Sequence, residues 1–500
     1  MSNAHARDSQ DSLADQLPGQ WVDVEQSKGP ASPVARSSPL PFFVGVLPRL
    51  RGYRWVAFAP VEEDIDDGEP KGLKQMWRNG KKDIWLRVSL YFTLLALIFP
   101  FIVWWITSVA RQRHPSVKFH LDFPQGCVER VPWSFGTDTT PAPSEFLGSS
   151  YLYTANVSLS LPSDADVLSI ITRGNEANRA HGIVEFIVDD GTRYGQDSDV
   201  HVEFTAFMND RESLQESATI CRLHPSAKHD GAGLVVNYPR YQSHRSRRMV
   251  FAIKVYFPTS PGSPTLLNQF RTSLPQFIHK IGDLQDHVSF LSLSLWSTNH
   301  PVYAESVSGK NINVMTSNAP IKGTFNATSI LNLYTQNALI DVNVSLVAAE
   351  SVHSATAMLK TTNAPVSANM SLLASAREAR FNTQFETSNG ALDVAFAEAP
   401  VSSLLDVRAH TSNAPARVSL HETFEGTFDL FSTTWHQPQV HVRPDVEDPE
   451  GQGRRRVVEI RPESRESSVS GSVAWGKHDG WRRYGRVNVA SSNNDVRLHM

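Results

Sequence analysis

Two carboxylates, Asp341 and Asp393, are the residues of this chain best spaced for catalysis. Each stands four residues after an asparagine in a recurring Ser/Thr-x-Asn frame. If successive copies of that frame stack at the ~4.8 Å spacing of neighbouring strands, copies two apart place these carboxylates ~9.6 Å apart. That lies at the upper end, about 9.5 Å, of the separation used by inverting glycosidases, so the chemistry would be cleavage of a polysaccharide. Two lone exposed carboxylates lack the burial or charged partner that perturbs a catalytic pKa, and a non-enzymatic protein with no catalytic residue is the expectation. There is no Gly-x-Ser-x-Gly, and His421-Glu422 lacks the second histidine of a zinc-protease helix. The 18 histidines are scattered, and two cysteines are too few for a metal site, so neither a metal nor a cofactor is expected.

The element that positions these residues is a corner written seven times, at Asn299, Asn318, Asn337, Asn363, Asn389, Asn413 and Asn493. The cleanest copies read Thr-Ser-Asn-Ala-Pro, Thr-Thr-Asn-Ala-Pro and Thr-Ser-Asn-Gly. Self-similarity at such spacing marks a repeat protein. Four residues before each Asn stand Leu295, Val314, Leu333, Leu359, Phe385, Ala409 and Val489. Six before it stand Leu293, Ile312, Leu331, Ala357, Thr383, Val407 and Val487, while the column between is mostly polar. Three residues after the Asn the chain is apolar again, from Val302 and Ile321 to Val496. This is the period-two alternation of strands. Each repeat is therefore strand, Asn corner, strand and loop.

Asparagine suits a corner because it tolerates the left-handed backbone and can hydrogen-bond nearby main chain. A meander of hairpins and a parallel β-solenoid both fit, and the solenoid is favoured because only stacked rungs put the same corner at the same place in every copy. The fold expected is mainly β, a parallel β-solenoid of about seven or more repeats, with one N-terminal transmembrane helix.

Residues 1–87 begin with a Ser-, Asp-, Gln- and Pro-rich stretch that reads as disordered, with no apolar signal-peptide core in the first 30 residues. Residues 88–110 carry no charge, are dense in Leu, Ile, Phe and Trp, and are long enough to cross a hydrocarbon core of ~30 Å. Lys71, Lys74, Arg78, Lys81, Lys82 and Arg87 precede this span, against Arg111, Arg113 and Lys118 after it. The positive-inside rule then places residues 1–87 in the cytosol and the C-terminal part outside or in a lumen, a single-pass type II arrangement in the plasma membrane or a secretory-pathway membrane. The lipid bilayer is one expected partner. A net charge of −4 argues against nucleic acid.

The acceptor motif Asn-x-Ser/Thr occurs at Asn156, Asn326, Asn343 and Asn369, all after the span. Counting alternation from Ile321, Ile340 and Val366 points Asn326, Asn343 and Asn369 toward solvent, where a glycan fits. Residues 111–150 read as a stalk, and 151–292 as an irregular β region beginning the solenoid, with Leu266 to Val288 a candidate cap. Cys127 and Cys221 share the oxidising compartment, where they can pair; the spacing alone leaves their proximity open. The repeats occupy 293–500, interrupted by an acidic and then basic loop at 444–456. The chain ends on a last rung, whose open edge is a route to self-association.

The Thr-Ser-Asn-Ala-Pro corners, the approach Leu293-Ser-Leu-Trp-Ser-Thr-Asn299, the Phe424-Glu-Gly-Thr-Phe segment, the Val446-to-Val457 loop and the final Ser491-Ser-Asn resemble a family of single-pass membrane proteins of basidiomycete fungi. Their ectodomains are similar to adhesin-like β-solenoid domains of unknown function. The resemblance implies no activity and no catalytic residue. The expected function is contact by a glycosylated ectodomain with cell-wall glycan, another cell-surface protein or a second copy of itself. The alternatives are a carbohydrate-active β-helix enzyme of the wall, through Asp341 and Asp393, and a purely structural membrane-wall spacer.

Overall fold

The computed structural model describes residues 127–500 apart from 137–141, 147–150, 175–176, 178–179, 196, 224–227, 238–248, 261, 349–353, 376–377, 433–436, 463–466 and 477–484. The expected cytosolic region and the membrane span at 88–110 lie outside the described residues. Among the described residues no helix is long and apolar enough to cross a membrane. Lys118–Met500 form one compact unit, and it is mainly β, a sheet of many strands that pair mostly in parallel.

The repeats supply β12 (Val288–Trp296), β13 (Val302–Met315), β14 (Ile321–Tyr334), β15 (Ile340–Ala348), β16 (Ser354–Lys360), β17 (Val366–Ala374), β18 (Arg380–Glu386), β19 (Leu392–Glu398), β20 (Leu404–Thr411) and β21 (Ala416–Ser419). Strands that precede a corner pair in parallel with one another, so that Leu293, Ile312, Leu331, Ala357, Thr383 and Val407 lie in register. Strands that follow a corner form a second parallel ladder, with Ile321, Ile340, Val366, Leu392 and Ala416 in register. Parallel pairing excludes a meander of hairpins. Both columns are buried, and the alternation is clearest in β15, where Ile340, Val342, Val344, Leu346 and Ala348 point inward. In the two shortest repeats no loop intervenes. There β13 and β14 run straight from one ladder into the other, with register shifts between Ala304 and Val307 and between Gly309 and Asn311.

Ahead of the corners stand β1 (Glu129–Val131), β2 (Ser134–Phe135), β3 (Tyr153–Leu161), β4 (Val167–Arg173), β5 (His181–Asp189), β6 (Val200–Met208), β7 (Ala218–Arg222), β8 (His229–Val236), β9 (Val250–Pro258), β10 (Thr265–Ser273) and β11 (Phe277–Asp283). Here two expectations are corrected. Leu266 to Val288 is not a cap, because β10 and β11 are an interior rung between β4/β5 and the first corner. The segment from residue 127, placed in the stalk, instead adds β1 antiparallel to β7 and β2 antiparallel to β3. This end is filled by edge-to-face rings, Phe186 with Phe270 at 5.5 Å and Phe257 with Phe290 at 5.7 Å between centroids.

After β21 come β22 (Gly426–Ser432), β23 (Gln439–His441), β24 (Arg456–Pro462), β25 (Ser468–Trp475), β26 (Gly485–Ser491) and β27 (Val496–His499). The order of stacking departs from the order of the chain. β26 lies between β20 and β22, and β27 between β21 and β23. The last-written rung is therefore interior, and the expected open edge on it is a misreading. Antiparallel β25 and β24 continue the ladder beyond β22. The opposite end repeats the device, with β4 paired between β8 and β10, and β5 between β9 and β11.

Candidate functional site

The corners are built from two stacked columns. The Ser or Thr two residues before each Asn is buried, and in five of the copies it turns its hydroxyl to a carbonyl of the neighbouring rung. Thr335 Oγ1 donates to the Ala319 carbonyl (3.2 Å), Thr361 to Ala338 (3.0 Å), Thr387 to Ala364 (3.0 Å), Thr411 to Gly390 (3.0 Å) and Ser491 to Ala414 (2.9 Å). In these five copies the acceptor is the residue after the previous Asn, whereas Thr316 donates to Ala319 of its own corner and Ser297 to the Phe277 carbonyl at 3.2 Å, so a hydroxyl in this buried place finds a partner in every copy. Ser432, at the end of β22, likewise donates to the Asn494 carbonyl at 3.1 Å.

The asparagines form a continuous amide ladder. Asn318 Nδ2 donates to Asn299 Oδ1 (2.7 Å), Asn337 to Asn318 (2.6 Å), Asn363 to Asn337 (2.6 Å), Asn389 to Asn363 (2.7 Å), Asn413 to Asn389 (2.7 Å) and Asn493 to Asn413 (2.7 Å). The reason first given for asparagine is corrected here. Among the described residues the non-glycine ones with positive φ are Glu378, Ser402 and Asp445, not the corner asparagines, so rung-to-rung amide pairing selects the residue.

Outward residues of the after-corner ladder carry the charge. Lys322, Asp341, Ser367, Asp393, Arg417 and Arg497 lie in one register row. Asp341 lies 3.8 Å from Lys322 Nζ and Asp393 lies 3.4 Å from Arg417 Nη1, with every one of these side chains half exposed. The two carboxylates thus have separate cationic partners, with the Ser367 rung between them.

Asn156, Asn343 and Asn369 are exposed, and Asn343 and Asn369 occupy adjacent places in register. Asn326 differs from its expected exposure. It is 9% exposed and donates to Gln285 Oε1 at 2.6 Å, because the turn after β11 covers it. Its outward parity was read correctly, but a covering loop leaves no parity signal. Cys127 and Cys221 form a disulfide that ties the start of the unit to β7. In the 444–456 loop, Asp448 accepts from the Arg454 guanidinium at 2.8 Å and from the backbone N–H groups of Glu450, Gln452 and Arg454. The Arg454 guanidinium holds the Asp448 carboxyl well below the usual carboxylate range.

Burial pushes His279 down to about 4, and its ring lies 3.0 Å from Thr272 Oγ1 and 3.2 Å from the Phe277 carbonyl. The His441 and His499 rings stack at 4.7 Å. Among the described residues no group of three His, Cys, Asp or Glu side chains is placed to hold a metal ion.

Sequence reasoning missed the column three residues before each Asn. It opens with Trp296, Met315 and Tyr334, which lie in register on the outer face of the before-corner ladder. They line a shallow groove with Ser294, Asn313 and Asn332. Asn332 Nδ2 donates to Asn313 Oδ1 at 2.8 Å, an amide pair beside the corner ladder. An aromatic, Met, aromatic run at a fixed offset from the corner was the available signal.

No known protein family matches the chain, and no curated protein matches it. Among solved structures it is similar to a "putative adhesin" from Parabacteroides merdae, with 10% identity over 54% of this chain and 89% of that one and a TM-score of 0.30. It is also similar to a "putative cell adhesion protein" from Clostridium sporogenes, with 5% identity over 69% of this chain and 99% of that one and a TM-score of 0.16. A "putative lipid binding protein" from Parabacteroides distasonis matches with 11% identity over 54% of this chain and 90% of that one, at a TM-score of 0.22.

Proposed function

We propose that this chain is a single-pass type II membrane protein whose C-terminal part is a parallel β-solenoid making non-enzymatic contact with a cell wall or a neighbouring cell surface. The observation that carries the reading is the periodicity of its outward faces. Each ladder repeats one residue position at every strand spacing, about 4.8 Å, so a partner that is itself repetitive meets the same kind of group again and again. Weak contacts arrayed in this way add as avidity. The amide ladder and the buried hydroxyl column keep the array rigid, so little conformational entropy is lost on contact. Glycans on Asn156, Asn343 and Asn369 would keep the rest of the surface hydrated. The apolar span at 88–110, with its basic cytosolic flank, supports membrane attachment.

The test is attachment. Cells displaying the full chain are expected to adhere to wall fragments or to one another above cells displaying the span alone. Equal attachment of the two populations would overturn the reading.

A further inference from the structure

The outer face of the before-corner ladder carries an uncharged, ring-lined strip within a surface otherwise rich in ion pairs. Trp296, Met315 and Tyr334 occupy consecutive rungs in one row, and Ser294, Asn313 and Asn332 occupy the next row. The Trp296 and Tyr334 positions are two strand spacings apart, about 9.6 Å, on a line that crosses the strands and runs along the stack. All three side chains of the ring row are half-buried. Among the described residues, hydrogen-bonding capacity remains at the Trp296 indole N–H, the Tyr334 hydroxyl, Asn313 Nδ2 and Asn332 Oδ1. The next rung closes the strip with charge, where Lys360 pairs with Glu386 at 2.7 Å.

We infer that this strip is a binding subsite for a neutral, extended, β-linked glycan chain lying along the stack. The inference rests on the contact reading above and names its ligand. A sugar ring has apolar C–H faces and equatorial hydroxyls, and the strip offers the complement of both. Ring faces take the C–H surfaces, and the row of amides beside them takes the hydroxyls. The separation of the two positions is close to the length of one disaccharide, so alternate sugars meet Trp296 and Tyr334 while the sugar between them crosses Met315. The absence of charge in the strip selects against acidic polysaccharides and phosphorylated partners, which would leave their charge unpaired.

The experiment is co-sedimentation of the detergent-solubilised full chain with chitin and with cellulose, with amylose as an α-linked control. Retention on at least one of the two β-linked solids, and not on amylose, is expected. Trp296→Ala and Tyr334→Ala are each expected to weaken that retention about tenfold. Trp296→Phe and Tyr334→Phe should retain most of it, because the ring face is what counts. Asn382→Ala, on the same face but outside the strip, should bind as the unaltered chain does, and unchanged thermal melting of all variants establishes that each is folded. Failure of the unaltered chain to sediment with either β-linked glycan overturns the inference, as does undiminished binding by both alanine variants. Cell attachment run in parallel separates the two readings. Attachment by the unaltered chain together with failed or undiminished glycan retention removes this subsite and leaves the contact function, whereas absence of attachment by the unaltered chain removes the contact function itself.

Discussion

Asn493 donates its side-chain amide to Asn413 at 2.7 Å, although 80 residues separate them. That single bond records how the C-terminal end is assembled. The chain leaves the sixth corner, lays down β22 to β25 at a distance, and returns to fill the gap with β26 and β27. Val487 and Val489 on β26 are fully buried as a result, as are Val496 and Leu498 on β27.

Deleting residues 485–500 should therefore act as removal of an interior rung. We expect loss of cooperative folding in the region from β20 onward, seen as new amide exchange in β20 to β22, rather than the mild effect of trimming a tail. Unchanged protection of β20 and β22 in the truncated chain would contradict the inserted order.

The amide ladder gives a graded prediction. Asn413→Ala removes one bond to Asn389 and one from Asn493, at exposed positions, and should cost about 1–2 kcal/mol in denaturant unfolding. Asn413→Asp keeps the shape and the acceptor but cannot donate to Asn389, and should be destabilising at neutral pH. Thr411→Val, at the buried hydroxyl bonded to Gly390, should cost more than either loss at the exposed rim, because it leaves a buried carbonyl without its partner.

Gly390 stands where most clean corners have alanine, and restoring the repeat consensus there should destabilise. A Cβ at Gly390 would lie 1.8 Å from the Ala364 carbonyl oxygen, which is backbone and must itself shift. Gly390→Ala is expected to cost about 1–3 kcal/mol, measured by chemical denaturation. A neutral or stabilising result would show that the corner relaxes freely.

The buried His279 sets a pH dependence. Its folded pKa of about 4 lies below the 6.5 of an exposed histidine, because burial disfavours the charged ring, with His300 adding in the same direction. Between pH 6.5 and 4 the unfolded chain takes up a proton that the folded chain refuses. The contribution of neutral His279 is thus fully present above about pH 6.5 and falls by up to about 3 kcal/mol on acidification toward pH 4. Unfolding titrations of His279→Gln should show a shallower decline across that window.

The strands of the repeats were legible because one face is buried and the other is not, which writes the period of two directly into β15, β17 and β18. The corner frame was legible because both of its columns repeat residue types. β4 was not, since Val167 to Thr172 are buried on both faces and alternation vanishes. The stacking order at the two ends was illegible for another reason. Whether β26 pairs with β20 or with β25 depends on contacts between segments far apart in the chain, and local pattern carries no information on that choice. Asn326 was misplaced because a turn from a different rung covers it. The ring strip at Trp296, Met315 and Tyr334 was present in the alignment all along, in a column passed over because it is neither uniformly apolar nor uniformly polar.

The central proposal is that the β unit stands outside the cytosol on a single anchor, and topology tests it most directly. The full chain, tagged at its N-terminus, would be made in sealed microsomes, then treated with protease from outside and, separately, with glycosidase. The account predicts a tag removed by protease, a protected fragment containing residues 118–500, and a glycosidase shift abolished by joint Asn156→Gln, Asn343→Gln and Asn369→Gln substitution. Protease digestion of the C-terminal part in intact microsomes, with no glycosidase shift, would contradict it.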